Sequence, residues 1–170
     1  GYKSCATGGD GAAYGQQAKA TAAAASAFGA GVIASGAASS ASGYMSCATA
    51  TSASAFGKQS CATGVYSIAS GYKSCATGAN STAIGKNSCA TGGQSSASGY
   101  KSCAIANNST ASGYVSVACG IYDIAFGYRA ITVPFAGATN KCPEANISIG
   151  FCTIAKFGYR CDDTTDYYLP

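Results

Sequence analysis

Gly71-Tyr72-Lys73-Ser74-Cys75-Ala76-Thr77 and Gly78-Ala79-Asn80-Ser81-Thr82-Ala83-Ile84, closed by Gly85, are two seven-residue units of one pattern. Each opens with Gly and carries Ser at its fourth place and Ala at its sixth. The pattern runs without a gap from Gly1 to Val133. Ala holds the sixth place from Ala6 to Ala125, and Gly yields the first place to Ala only at Ala22, Ala50 and Ala106.

A period of seven raises the question of a coiled coil, but that fold needs large apolar residues at two places per heptad. Here the most regular places are Gly and Ala, and Gly costs a helix about 1 kcal/mol each time. Places four to seven instead alternate small and variable residues, the pattern of a strand. Gly then marks a corner, where positive φ or close packing excludes a side chain. A second period overlies the first. Counted from Gly1, odd units carry Cys47, Cys61, Cys75, Cys89 and Cys103 at place five, where even units carry Ser54, Ile68, Thr82, Ser96 and Thr110.

The spacing therefore predicts an all-β, parallel β-solenoid: a flat roll with 14 residues and two short strands per coil. Coils stacked at the inter-strand spacing of ~4.8 Å make a rod about 45 Å long. Ser and Ala of places four and six face inward, because only small side chains fit between sheets so close together. Such an interior leaves no buried pocket.

Composition narrows function by exclusion. There is no His, and the six acids are Asp10, Asp123, Glu144, Asp162, Asp163 and Asp166, so paired-carboxylate or His chemistry has little material. No enzyme activity, cofactor or metal site is expected. Residues 1–133 carry a charge of +5 and residues 134–170 a charge of −1. The bases look like spaced solubilising charges rather than the clustered Lys and Arg of a nucleic-acid footprint. Residues 20–42 are uncharged but consist of Ala, Ser and Gly, a poor membrane span that keeps the repeat in phase. Ten Cys point to an oxidising, extracellular setting. Gly1 falls in mid-repeat, so a processed form or a piece of a longer chain is expected.

The Asn80-Ser81-Thr82-Ala83-Ile84-Gly85 run, with Gly-x-x-Ser-x-Ala-x-Gly around it, resembles the heptad repeats of trimeric autotransporter adhesin heads (the YadA-like head, haemagglutinin-type heptads). Related heptads occur in phage and viral fibres. The resemblance covers roughly residues 1–133. It implies a left-handed parallel β-roll, a trimer of three chains, and a place on a cell or virion surface. It also implies that the variable residues of even units face the trimer axis: Thr82 and Ile84, with Phe56, Ile68, Thr110, Ile124 and Phe126. Three departures stand out. Ser42, Ser54, Ser70, Ser96, Ser98 and Ser112 dilute that apolar set, no coiled-coil stalk is read after the repeat, and the Cys column is not something the family requires.

Two readings of the Cys column stay open. Cys packs well as a small apolar residue. Ladder neighbours would also have Cα atoms ~4.8 Å apart, within the range of about 4.4–6.8 Å for disulfides. Cys47, Cys61, Cys75, Cys89, Cys103, Cys119, Cys142, Cys152 and Cys161 are thus candidate cross-linking residues, within one chain or between chains. Thr49, Thr63, Thr77 and Thr91 form a parallel row two residues on, similar to the rows of ice-binding solenoids except that their partner column is Cys. Tyr44, Lys58, Tyr72, Lys86, Tyr100, Tyr114 and Tyr128 share place two and project from one edge of the rod. They are candidate edge contacts for a glycan or protein, or they pack on neighbouring coils.

The phase breaks at Pro134-Phe135, so two regions are expected: the solenoid over 1–133, and a cap or docking segment over 134–170. Within the latter, 145–150 and 153–158 look like degenerate strands. The reading that results is a non-enzymatic, extracellular fibrous module of the adhesin-head or fibre-shaft kind, whose first partner is itself. The rival is a structural filament or sheath, stacked end to end and hardened by disulfides.

Overall fold

A computed structural model describes residues 1–133 and 145–155 of the chain. Every regular element among them is a β-strand, twenty-one in all. Odd units give two-residue strands at places five and six, such as Cys75–Ala76. Most even units give three-residue strands reaching place seven, such as Thr82–Ile84. Odd strands form one eleven-stranded sheet and even strands one ten-stranded sheet, both parallel throughout. Each strand pairs with the one 14 residues away, Cys75 with Cys89 and Ala83 with Ala97. The molecule is the expected β-solenoid. Eleven strands at ~4.8 Å per step span about 48 Å.

The interior is the predicted one. The Ala column is fully buried from Ala20 to Ala125, with Ala13 partly exposed, and the place-four serines are buried from Ser39 to Ser116. Ser95 and Ser109 donate their hydroxyls to the carbonyls three residues back, Gly92 and Ala106, at 2.7 and 2.6 Å. The hydroxyls of Ser39, Ser46, Ser67, Ser74, Ser81, Ser102 and Ser116 have no such partner. Ala18, Ala25 and Ala53 occupy the same place. Size is therefore the common factor at place four, and the hydrogen bond is incidental.

Place one is the expected corner, by positive φ in odd units and by close packing in even ones. The residue in αL geometry is place three, where nineteen non-Gly residues have φ between 52° and 62°. In even units the turn is closed by a bond across it, as where the Ser81 N–H donates to the Gly78 carbonyl at 3.3 Å. Coil-to-coil bonds continue through the turns, with Lys73 N–H on the Lys58 carbonyl and Asn80 N–H on the Val65 carbonyl. Full pairing of the backbone outweighs the cost of αL, roughly 1–2 kcal/mol per residue.

Place-one glycines fall into two classes. In odd units from Gly15 to Gly127, φ lies between +119° and +131° or so, reaching +134° at Gly71, a region closed to side chains. In even units φ is not positive, and Gly is there because a Cβ would press on the carbonyl of the next coil, Gly78 against Gly92 for instance. Ala22, Ala50 and Ala106, which replace Gly, all lie in even units.

The solenoid does not end at Val133. After residues 134–144, the strand Ile147–Phe151 adds to the even sheet and Ile154–Ala155 to the odd sheet. Asp123 joins the two parts. It takes the place of an inward Ser and is fully buried. Its carboxylate accepts from the Gly120 N–H, the Asn146 N–H and Asn146 Nδ2 at 2.6, 2.7 and 3.1 Å. A buried carboxylate needs such donors. The rest of the suggested cap or docking segment, residues 134–144 and 156–170, lies outside the described residues.

Two outcomes follow for thermal denaturation. Ala83→Leu should overpack the interior and cost about 3 kcal/mol or more. Gly71→Ala should cost about 1–3 kcal/mol more than Gly78→Ala, because only Gly71 combines close approach with a φ that side chains avoid. Equal melting temperatures for these two glycine variants would contradict the two-class assignment.

Candidate functional site

A filled interior sends function outward, to two flat faces and two turn edges. The odd face carries the cysteines. Cys47, Cys61, Cys75, Cys89 and Cys103 stand in consecutive register, each half-buried and each a free thiol. Cys5 belongs to the same row but is separated from it by Lys19 and Ile33. Cys119 stands instead at place seven, the place of the Thr row, where its N–H lies 3.2 Å from Thr132 Oγ1. Cys152 is exposed at a turn with φ 52°. Cys142 and Cys161 lie outside the described residues.

The Cα spacing suggested disulfides, but translation explains why the thiols are free. Residues paired in register on parallel strands are related by a shift, so their Cβ atoms are as far apart as their Cα atoms, ~4.8 Å. A disulfide draws Cβ atoms to about 3.5–4.5 Å. Closing one would pull two coils together against the full backbone ladder. Within one chain the row therefore stands as half-buried free thiols.

Stacked thiols still affect one another. Cys75 lies between Cys61 and Cys89, and both can donate S–H to it, which pulls its pKa well down. Cys61 and Cys89 are pushed up, Cys61 by its bond to Cys75 and by burial, Cys89 by its bonds to Cys103 and Cys75 and by burial. The Cys89 thiol lowers Cys103, while burial raises Cys47 and Cys119.

The even face carries the apolar set. Ile68, Thr82, Thr110 and Ile124 stand at place five and Phe56, Ile84 and Phe126 at place seven of one sheet, all facing out. Phe126 is 56% exposed, and Ile147 and Ile149 of the added coil, absent from the sequence-based set, are 59% and 64% exposed. Tyr14 and Phe28 stack at 5.3 Å near the other end. Apolar residues occur along the whole face, doubled in the last two coils at Ile124 with Phe126 and Ile147 with Ile149, and serines are interspersed.

The odd turn edge carries the Tyr and Lys residues of place two. Lys58 Nζ lies 5.7 Å from the Tyr44 ring centre and 5.8 Å from that of Tyr72. Lys86 bridges Tyr72 and Tyr100 in the same way, at 5.9 and 5.7 Å. Tyr100, Tyr114, Tyr128 and Phe151 continue as face-to-face stacks at 4.9, 4.9 and 4.7 Å. Lys73, Lys101 and Arg129, at place three, lie over Tyr72, Tyr100 and Tyr128. The sequence showed bases too far apart to form a cluster. Stacking brings Lys58, Lys73, Lys86, Lys101 and Arg129 onto a single edge. The opposite edge, from Asp10 through Ala24, Ser52, Asn80 and Asn108 to Tyr122, has no cation.

Two stretches, residues 62–88 and 104–130, match the family model of the YadA head domain repeat. No curated protein matches the chain. The two matched stretches include Cys75 of the thiol row and the even-face residues Ile68, Thr82, Ile84, Thr110, Ile124 and Phe126.

At neutral pH a lowered pKa means more thiolate and faster alkylation. Limited iodoacetamide labelling, mapped by mass spectrometry, should modify Cys75 before Cys61 and Cys89, although all three are equally half-buried. Equal labelling of the row would remove the proposed thiol-to-thiol coupling.

Proposed function

We propose that the chain is a rigid, non-enzymatic module of an adhesin-type protein, displayed outside a cell or virion. Three chains pack through their even sheets, and the odd face and the turn edges remain free to meet a partner. The observation that carries this reading is the pair of YadA head domain repeats on a solenoid whose interior holds only small side chains. Such a rod has no internal place for a substrate. Its means of action are stiffness and repetition, with many weak contacts acting together.

The even face supplies the seam. Burying Phe126, Ile147 and Ile149 against partner copies would remove large apolar groups from water, at roughly 25 cal/mol per Å². The serines interspersed along the face weaken the seam without adding charge. Heads of the YadA type form trimers, and that arrangement is proposed here by the likeness.

A filament is the second reading, favoured by the coil-on-coil stacking of both sheets, which a further chain could continue. An uncovered sheet edge is a template for another chain. Disulfide hardening of such a filament would use bonds between chains or thiols outside the stacked row.

Sedimentation and electron microscopy of the purified chain separate the readings. The expected particle is a closed trimer about as long as one rod. Phe126→Ser with Ile149→Ser should convert it to monomers whose circular dichroism is unchanged, since both residues are exposed in the single chain. Filaments of unlimited length, or a monomer at every concentration, would overturn the trimer.

A further inference from the structure

We infer that the odd turn edge is a binding strip for a linear acidic polysaccharide lying along the rod. This deepens the adhesin reading by naming a ligand class for it, and it holds whether the chain is trimeric or not.

Three observations converge. The first is charge. Lys58, Lys73, Lys86 and Lys101 belong to four consecutive coils, which places one positive charge at each ~4.8 Å step. The two acids among the described residues are elsewhere, Asp10 on the opposite edge and Asp123 buried in the interior. A row of one sign, regularly spaced, suits a polymer that repeats its anions along a line.

The second is preorganisation. Lys58 and Lys86 are each held between two Tyr rings, and Tyr72 meets three ammonium groups, those of Lys58, Lys73 and Lys86. A free surface Lys loses up to ~2 kcal/mol of rotamer freedom when a ligand fixes it. Lysines already resting on rings lose less, so their charges become more effective contacts.

The third is which part of each ring stays open. From Tyr72 to Tyr128 both faces of each ring are covered by an ammonium or by the next ring. The rings thus offer edges and phenol hydroxyls, not faces. Single-stranded nucleic acid is held by bases stacked on ring faces. That demand is not met here. A polysaccharide with carboxylate or sulfate groups needs charges and hydroxyls in a row, and these are what the edge presents.

Beyond Tyr44 the edge sinks into an open depression of about 680 Å³, where Ala30 and Gly31 stand in place of Tyr and Lys. Gln16, Gln17 and Tyr44 line it, with Lys3 and Lys19 beside them. It gives the strip an end with amide donors and acceptors, suited to the hydroxyls of a terminal sugar.

The test is binding of the whole chain to immobilised heparin, polygalacturonate, neutral dextran and oligo-dT at several salt concentrations. Heparin, polygalacturonate or both should bind, more weakly as salt rises, and dextran should not; which of the two binds identifies sulfate or carboxylate as the anion. Lys58→Gln with Lys86→Gln should weaken binding at least tenfold and make the salt slope shallower by about two. Adding Asn80→Lys and Gln94→Lys to that variant restores the net charge on the opposite edge, and binding should stay lost. Binding recovered by those two changes, binding of dextran equal to that of the acidic chains, or tighter binding of oligo-dT would each overturn the strip. The same measurements on Phe126→Ser with Ile149→Ser separate failure of the strip from failure of the trimer.

Discussion

The depth between the two sheets is the constraint on which this rod depends. One Ser and one Ala per strand fill most of it, and of the 21 buried apolar residues among those described the only one larger than Ala is Val32. A core of this kind yields little hydrophobic stabilisation per residue compared with burying Leu or Phe. Stability must come from many identical layers and from continuous backbone pairing. That pairing runs through the turns as well as the strands, and it is strong enough to hold Val115 and Tyr122 in left-handed geometry. The glycines serve the same end, since each lets one coil lie on the next without a side chain between them.

Translation is the second consequence. A residue type repeated every 14 positions becomes a column at the spacing of neighbouring strands. The column's chemistry is then set by its own copies. Five thiols in register share S–H contacts yet stand too far apart at Cβ to bond. Four aromatic rings stack face to face, and lysines set between tyrosines rest on both. The same operation also separates functions: the apolar set falls on one face, the thiols on the other, and the cations on one of two turn edges.

This division bears on how such a module would work. A trimer seam on the even face and a polyanion strip on the odd edge use different residues, so self-association and ligand binding need not compete. The strip would appear once per chain, three times around a trimer. Weak contacts repeated along a stiff rod and around its axis add up through effective concentration rather than through a deep pocket.

Much of this was legible in the sequence. The heptad phase, the doubling to 14 residues, the inward Ser and Ala, and the faces of Cys75, Thr77, Thr82 and Ile84 all follow from local periodicity. The Ala at positions 22, 50 and 106 even marked the glycine class that tolerates a side chain. Other features arise only between coils. Place three gives no sign of its left-handed backbone, because Lys, Gln, Ala, Val and Tyr all occupy it and pairing with the next coil imposes the conformation. The coil at 145–155 was visible as degenerate strands, but the Asp123–Asn146 contact that seats it spans 23 residues. Lysines 13 to 15 positions apart looked like scattered charges. Sequence determines which residues share a face, because side-chain direction alternates locally along a strand. Only the stacked structure decides which charges gather and which ring faces are covered, because those depend on the neighbour one coil away.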